Sequence, residues 1–166
     1  MYLPKTPAFI QQIFPDLLCR VPGEGKVMYL TFDDGPTPVV TEEVLDLLAQ
    51  YRAKATFFCL GRQVALHPAL YARILAEGHR VGNHSHNHPD GWRTNTEEYL
   101  QDVALAENQI QTDIFRPPYG RLRPAQYNAL KKRFRVVLWD VMPGDFEPNK
   151  TPKDCYQILT QHVTPG

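Results

Sequence analysis

Short runs of β-branched and aromatic residues alternate along this chain with longer stretches of helical period, and Gly- and Pro-containing loops divide them. Residues 27–32 and 55–60 read as strands, and residues 80–82, 114–116 and 135–139 as three more. After the first strand, Thr37 as N-cap and Pro38 at the first helical position open a helix with Val40, Val44, Leu47 and Leu48 as its apolar face. A second helix spans residues 68–77, with Leu70 and Ile74 in register and Gly78 just past its end. Asn95, with Glu98 three places on, predicts a capping box for a third helix carrying Tyr99, Val103, Ala106 and Ile110. Pro124 opens a fourth helix, and Thr151 with Pro152 starts the last. At the beginning of the chain Phe9, Ile10, Ile13 and Phe14 fall at helical spacing, interrupted by Gln11 and Gln12 and ended by Pro15. That pattern predicts a short helix in an N-terminal extension, residues 1–26, packed on the domain; it suits neither a signal-peptide core nor a membrane span. Strand, loop and helix in repetition predict an α/β fold with a largely parallel sheet.

Composition narrows the function classes. At 166 residues the chain fits one domain able to bury a core without staples. Lys plus Arg is 18 and Asp plus Glu is 18, for a formal net charge of zero, and no basic stripe offers a surface for nucleic acid. Three cysteines, Cys19, Cys59 and Cys155, have no C-x-x-C spacing and are expected as buried free thiols. With no export signal in view, the default location is cytoplasmic.

The chemistry sits at the ends of strands. Asp33 and Asp34 close the first strand within Thr31-Phe32-Asp33-Asp34-Gly35-Pro36, and His84-Ser85-His86-Asn87-His88 follows the third. Arg116-Pro117-Pro118-Tyr119-Gly120 follows the fourth, and Asp140 and Asp145 follow the fifth. Each piece alone has a plain structural reading: a good turn, two surface histidines in a polar loop, a stiff extended connector. Lys131, Lys132, Arg133 and Arg135 read as the solvated end of a helix, and His67 and His79 carry no specific signal. Taken together they converge, because a barrel of parallel strands builds its active site from the loops at the carboxyl ends of those strands. One carboxylate, two imidazoles and a spare carboxylate meet the needs of a metal-dependent hydrolase: about three ligands, an open position and a nearby base.

In this order and spacing, Thr-Phe-Asp-Asp-Gly-Pro, His-Ser-x-x-His, Arg-Pro-Pro-Tyr-Gly and a Trp followed by acidic residues closely resemble the polysaccharide deacetylase family, carbohydrate esterase family four, from about Val27 onward. The resemblance implies a distorted (β/α)7-type barrel over residues 27–166. It also implies removal of N- or O-acetyl groups from an acetylated glycan, such as an N-acetylglucosamine polymer or oligomer, with one divalent metal ion. Carried over, Asp34, His84 and His88 match the metal ligands and Asp33 the general base that takes a proton from water. Arg116 matches the arginine that pairs with that base. The backbone N–H of Tyr119 matches the oxyanion donor, with Pro118, Tyr119 and Trp139 against the substrate. Gly91-Trp92 and Trp139 suit stacking on a pyranose, or on any flat or apolar substrate. Zinc is the first choice of ion, and two imidazoles with one carboxylate also suit cobalt, iron or nickel.

Two departures from the family pattern stand out. The position three residues after Trp139 is Met142 where many relatives carry the aspartate that tunes the catalytic acid; Asp145 matches the next acidic position and Asp140 is extra. The family's late Leu-x-His, which supplies the general acid, is absent, and the expected barrel lacks its C-terminal strand or strands. Two rivals follow: a pseudo-enzyme that keeps a metal or carbohydrate-binding cup without turnover, and an amidohydrolase of the same fold acting on a small amide. The oligomeric state is open.

Overall fold

The computed structural model describes residues 4–7, 9, 10, 14, 16–21 and 26–165. It separates into two compact units, one of residues 29–136 and one joining residues 1–28 with 137–166.

The larger unit holds a sheet of five strands, β1 (Leu30–Asp33), β2 (Ala55–Cys59), β3 (Arg80–Asn83), β4 (Ile114–Phe115) and β5 (Arg135–Val136). They lie side by side in chain order and every pairing is parallel. Parallel neighbours need crossovers. These are α1 (Val40–Gln50), then α2 (Gly61–Leu66) with α3 (Pro68–Ala76), then α4 (Thr96–Glu107) and α5 (Pro124–Leu130). The fold is thus the α/β arrangement read from the sequence. Phe57, Cys59 and Val81 from the strands pack with Leu45, Leu48, Val64, Leu70, Ile74, Ala106 and Ile110 from the helices and their ends. Burial of β2 and β3 along nearly their whole length is what helical cover gives a parallel sheet.

Several element boundaries differ from the sequence reading. Residues 27–29 are exposed and the first strand begins only at Leu30. The first helix starts at Val40, not at Thr37 and Pro38, because Val39 sits at φ 68, outside helical geometry. Thr41, Leu45 and Leu48 form its buried face, whereas Val40 and Leu47 are exposed. The apolar residues of this segment cover more than one stripe, so the pattern alone leaves the phase open, and the buried Thr41 gives no apolar signal. Helix α2 went unread: it is six residues long, and His67 breaks it ahead of Pro68 at φ −129. Asn95 Oδ1 accepts the Glu98 amide at 2.9 Å, the N-cap half of the expected capping box; the helix it opens ends at Glu107, so Ile110 packs from beyond it; and Gly78 takes φ 76 beyond α3.

In the smaller unit, Lys5 bridges Val141 antiparallel and Leu18 bridges Val137 parallel, so the stretch read as a strand to Trp139 continues past β5 only as a single bridge. Helix α6 (Pro152–His162) begins at a Thr151–Asp154 capping box. Phe9 and Ile10 are helical, while Ile13, Gln11, Gln12 and Pro15 of the expected N-terminal helix lie outside the described residues. Of the three free cysteines only Cys59 is buried; Cys19 and Cys155 are half-buried. Among the described residues no helix is long and apolar enough to cross a membrane.

Candidate active site

Three strands of the larger unit end in the candidate chemistry. Asp33 is the last residue of β1, with Asp34 next; His84 directly follows β3, and Arg116 directly follows β4. Backbone pairing continues one step beyond the strands, with the His84 amide donating to Cys59 O at 2.9 Å and the Arg116 amide to Asn83 O at 3.0 Å. The chain then turns through unusual conformations. Asp34, Ser85, His88 and Tyr119 take φ of 69, 68, 65 and 58. Left-handed backbone at non-glycine residues concentrates at functional sites, where neighbouring structure holds it.

Asp34, His84 and His88 bring one ligand-type atom each to a common point, all within 4.8 Å of one another. The Nε2 atoms of His84 and His88 stand 3.5 and 3.2 Å from Asp34 Oδ1. Two atoms each about 2.1 Å from a tetrahedral zinc-type ion stand about 3.4 Å apart, so the set fits an ion between them. The histidine tautomer fits as well. His84 Nδ1 lies 2.6 Å from the Arg116 carbonyl, which only accepts, so Nδ1 carries the proton and the Nε2 lone pair faces Asp34. Burial pushes the His88 imidazole below its ordinary pKa; His84 and Arg62 act the same way, while Asp34 and Asp33 oppose them. A neutral imidazole is the form that binds a metal.

Asp33 stands beside this set in the grip of Arg116, whose Nη1 reaches Asp33 Oδ1 at 2.8 Å and Thr31 Oγ1 at 2.9 Å. Arg116 is 3% exposed, and its guanidinium lies 4.1 Å from the centroid of the Phe58 ring. A buried, stacked guanidinium is a rigid donor, and it fixes the direction of the carboxylate it holds. Cys59, near this end of β2, takes no part: burial first, and then the Asp33 charge, push its thiol up to about 12.

The loop between the two histidines is anchored by Ser85 of the motif and by two residues, Asn83 and Asp102, that the sequence did not mark. Asn83 is fully buried; its Oδ1 accepts the Ser85 amide at 2.7 Å and its Nδ2 donates to Val103 O at 3.1 Å. Ser85 Oγ accepts the His88 amide at 3.1 Å. Asp102, on α4, accepts the His86 and Asn87 amides at 2.8 and 2.9 Å and the Asn87 side chain at 2.7 Å. Asp102 and Asn83 serve backbone groups, which leave no side-chain pattern to find; only the place of Asn83 directly before His84 was a hint.

Pro118 is buried and Tyr119 is 57% exposed, its ring 4.5 Å from that of His88. Gly120 N to Pro117 O and Arg121 N to Pro118 O close the turn at 2.9 and 3.1 Å, and the Tyr119 amide stands outside both bonds. The remaining expected residues belong to the smaller unit. Trp139 is half-buried, with its carbonyl accepting from Thr6 Oγ1 at 2.6 Å, and Asp145 is exposed in a turn.

Comparison with known proteins gives the same family as the motifs. The family profile described as polysaccharide deacetylase matches residues 20–136. The peptidoglycan-N-acetylmuramic acid deacetylase PdaC of Bacillus subtilis (strain 168) is 41% identical over 142 residues, 82% of this chain and 30% of that protein. A chitooligosaccharide deacetylase of Bradyrhizobium sp. (strain ANU 289) is 40% identical over 147 residues, 84% of this chain and 67% of that one. The chain therefore spans less than a third of the first of these relatives and about two thirds of the second. Among solved structures, a peptidoglycan N-acetylglucosamine deacetylase superposes with a TM-score of 0.87 at 30% identity, covering 97% of this chain and 78% of that one. A family 4 carbohydrate esterase from Streptomyces lividans, in complex with acetate, gives a TM-score of 0.77 at 27% identity, covering 86% of this chain and 76% of that one.

Proposed function

The chain belongs to the polysaccharide deacetylase family, and on that premise we propose that it hydrolyses N- or O-acetyl groups on an N-acetylglucosamine-containing polymer or oligomer with one divalent metal ion, zinc first. The observation that carries this reading is the pairing of two sets. Asp34, His84 and His88 share one point, and a second carboxylate, Asp33, stands beside them held by Arg116. A site that merely binds a metal or a sugar has no need of that second, arginine-held carboxylate.

When bound, the ion supplies Lewis acidity, polarising the acetyl carbonyl and lowering the pKa of water to near neutrality. The chain's own groups do the rest. Asp34 Oδ1 and the Nε2 atoms of His84 and His88 would hold the ion, and the Arg116 carbonyl on His84 Nδ1 keeps the correct nitrogen free for it. Asp33 accepts the proton of the attacking water, with Arg116 aiming it from one side. The Tyr119 amide, set by the Pro117–Pro118 turn, donates to the oxygen on which charge develops. The roles that the resemblance gives Trp139 and Asp145 rest on the resemblance alone.

The test measures acetate release from N-acetylglucosamine oligomers, peptidoglycan and acetylated xylan, with metal analysis of two variants. Asp33→Asn keeps metal and loses most activity, because the amide preserves shape but takes no proton. His84→Ala loses both together. Equal metal loss in the two variants would overturn the division of roles, and no acetate from any glycan would overturn the function.

A further inference from the structure

A second aromatic stands out in the larger unit, beyond the cluster itself. Trp92 is 61% exposed, yet the loop that carries it is fixed from three directions. Its amide donates to Asp90 Oδ1 at 2.9 Å, its carbonyl accepts Arg123 Nη2 at 2.8 Å, and the fully buried Gln126 donates from Nε2 to Gly91 O at 3.0 Å and Thr94 O at 3.2 Å. Gly91 is held so close that an added Cβ would come within 2.2 Å of Arg121 O. A large indole left in water on a clamped loop is an unspent apolar surface, and such surfaces mark binding sites.

The surface is continuous with the cluster. The His88 and Tyr119 rings are 4.5 Å apart, the Arg121 guanidinium stands 5.6 Å from the Tyr119 centroid, and that same guanidinium lies 5.0 Å from the Trp92 centroid. Asp90 Oδ2 accepts from Arg121 Nη1 at 2.6 Å and so fixes it between the two rings. The guanidinium lies over one side of the indole, and the exposed remainder of that ring, with the Arg121–Asp90 pair beside it, matches a pyranose, whose C–H face is apolar and whose edge carries hydroxyls.

We propose that Trp92 and Arg121 form an outlying sugar subsite, which stacks on a neighbouring residue of the glycan whose acetyl group lies at the Asp34–His84–His88 cluster. This rests on the deacetylase reading above. The subsite makes the chain prefer oligomers long enough to occupy the cluster and the indole together.

The experiment compares the N-acetylglucosamine dimer and tetramer with the metal-loaded full chain and its Trp92→Ala and Trp92→Phe variants. Trp92→Ala lowers kcat/KM for the tetramer by about tenfold more than for the dimer, and Trp92→Phe recovers most of that loss. Equal loss on both substrates at unchanged thermal stability would overturn the subsite. Binding is read separately by NMR. The chain has two tryptophans, so Trp92→Phe identifies the Trp92 indole N–H signal, and that signal shifts on titration with tetramer. A signal that stays in place at saturation would overturn the proposal. Absence of turnover on every glycan would count against the deacetylase reading alone, because the indole shift still decides the subsite.

Discussion

Asp102→Ala removes the acceptor on which the loop between the two histidines hangs. The Asp102 carboxylate takes three hydrogen bonds, two of them from the main-chain amides of His86 and Asn87. A hydrogen bond to a charged group is worth about 1.5–3 kcal/mol when well buried. Here Asn87 is exposed and water can replace part of what it loses, so only the His86 bond approaches that value. The expected cost is about 2–3 kcal/mol, read as a fall in urea midpoint at unchanged slope for the metal-free chain. Because the loop carries both imidazoles, metal affinity falls as well, by about tenfold for each 1.4 kcal/mol of loop ordering that binding must then supply. Chelator competition measures it. Asp102→Asn keeps one oxygen for the two amides and falls between. A stability change below about 0.5 kcal/mol with unaltered metal affinity would show that Asn83, Ser85 and the strand hold the loop unaided.

Gly82→Ala places a Cβ 2.4 Å from Phe58 Cδ1, in a ring that is 1% exposed and carries the Arg116 guanidinium, so it costs about 1–3 kcal/mol and lowers activity by moving Arg116; an unchanged denaturation midpoint would refute the packing argument. Burial and then the Lys54 charge push His79 below its ordinary pKa, with Glu77 opposing, so the unfolded chain binds the extra proton. Its stabilising share is therefore whole above about pH 6.5 and lost as pH falls through the folded value. The urea midpoint should decline less steeply from pH 8 to 5 in His79→Gln than in the parent chain, and parallel declines would refute this role.

Legibility in the sequence followed the physics of each signal. Strand β2 was readable because it is buried along nearly its whole length and its run is apolar but for Thr56, whereas β3, with Arg80 and Asn83 at its ends, offered a weaker signal. Gly78 and the Asn95–Glu98 pair were readable because caps rest on side-chain identity. The phase of α1 was not, since Val40, Val44, Leu45, Leu47, Leu48 and Ala49 offer two stripes and the fold buries the one containing Thr41. Asp33, Asp34, His84, His88 and Arg116 could be singled out because metal and proton chemistry restricts residue type. Asp102 and Asn83 could not, because what they recognise is backbone, and any acceptor on that face of a helix reads as solvated.

The same distinction explains how an exposed carboxylate and two loop histidines come to share a point. Left-handed backbone at Asp34, Ser85, His88 and Tyr119 costs of order 1–3 kcal/mol per residue in the general case, so each conformation needs a partner that exists only in the folded chain. For Ser85, His88 and Tyr119 those partners lie within the same unit. Gly61 N donates to Ser85 O at 2.9 Å, Asn83 Oδ1 accepts the Ser85 amide, Ser85 Oγ accepts the His88 amide, and the Pro117–Pro118 turn closes around Tyr119. Gly61 is required for the first of these, since a Cβ there would lie 2.6 Å from His86 Nδ1 and 2.8 Å from Ala106 Cα. The ordering cost is thus met by strands, glycines and buried amides during folding. Residues that place the three ligand-type side chains are in this way as much a part of the site as the side chains themselves.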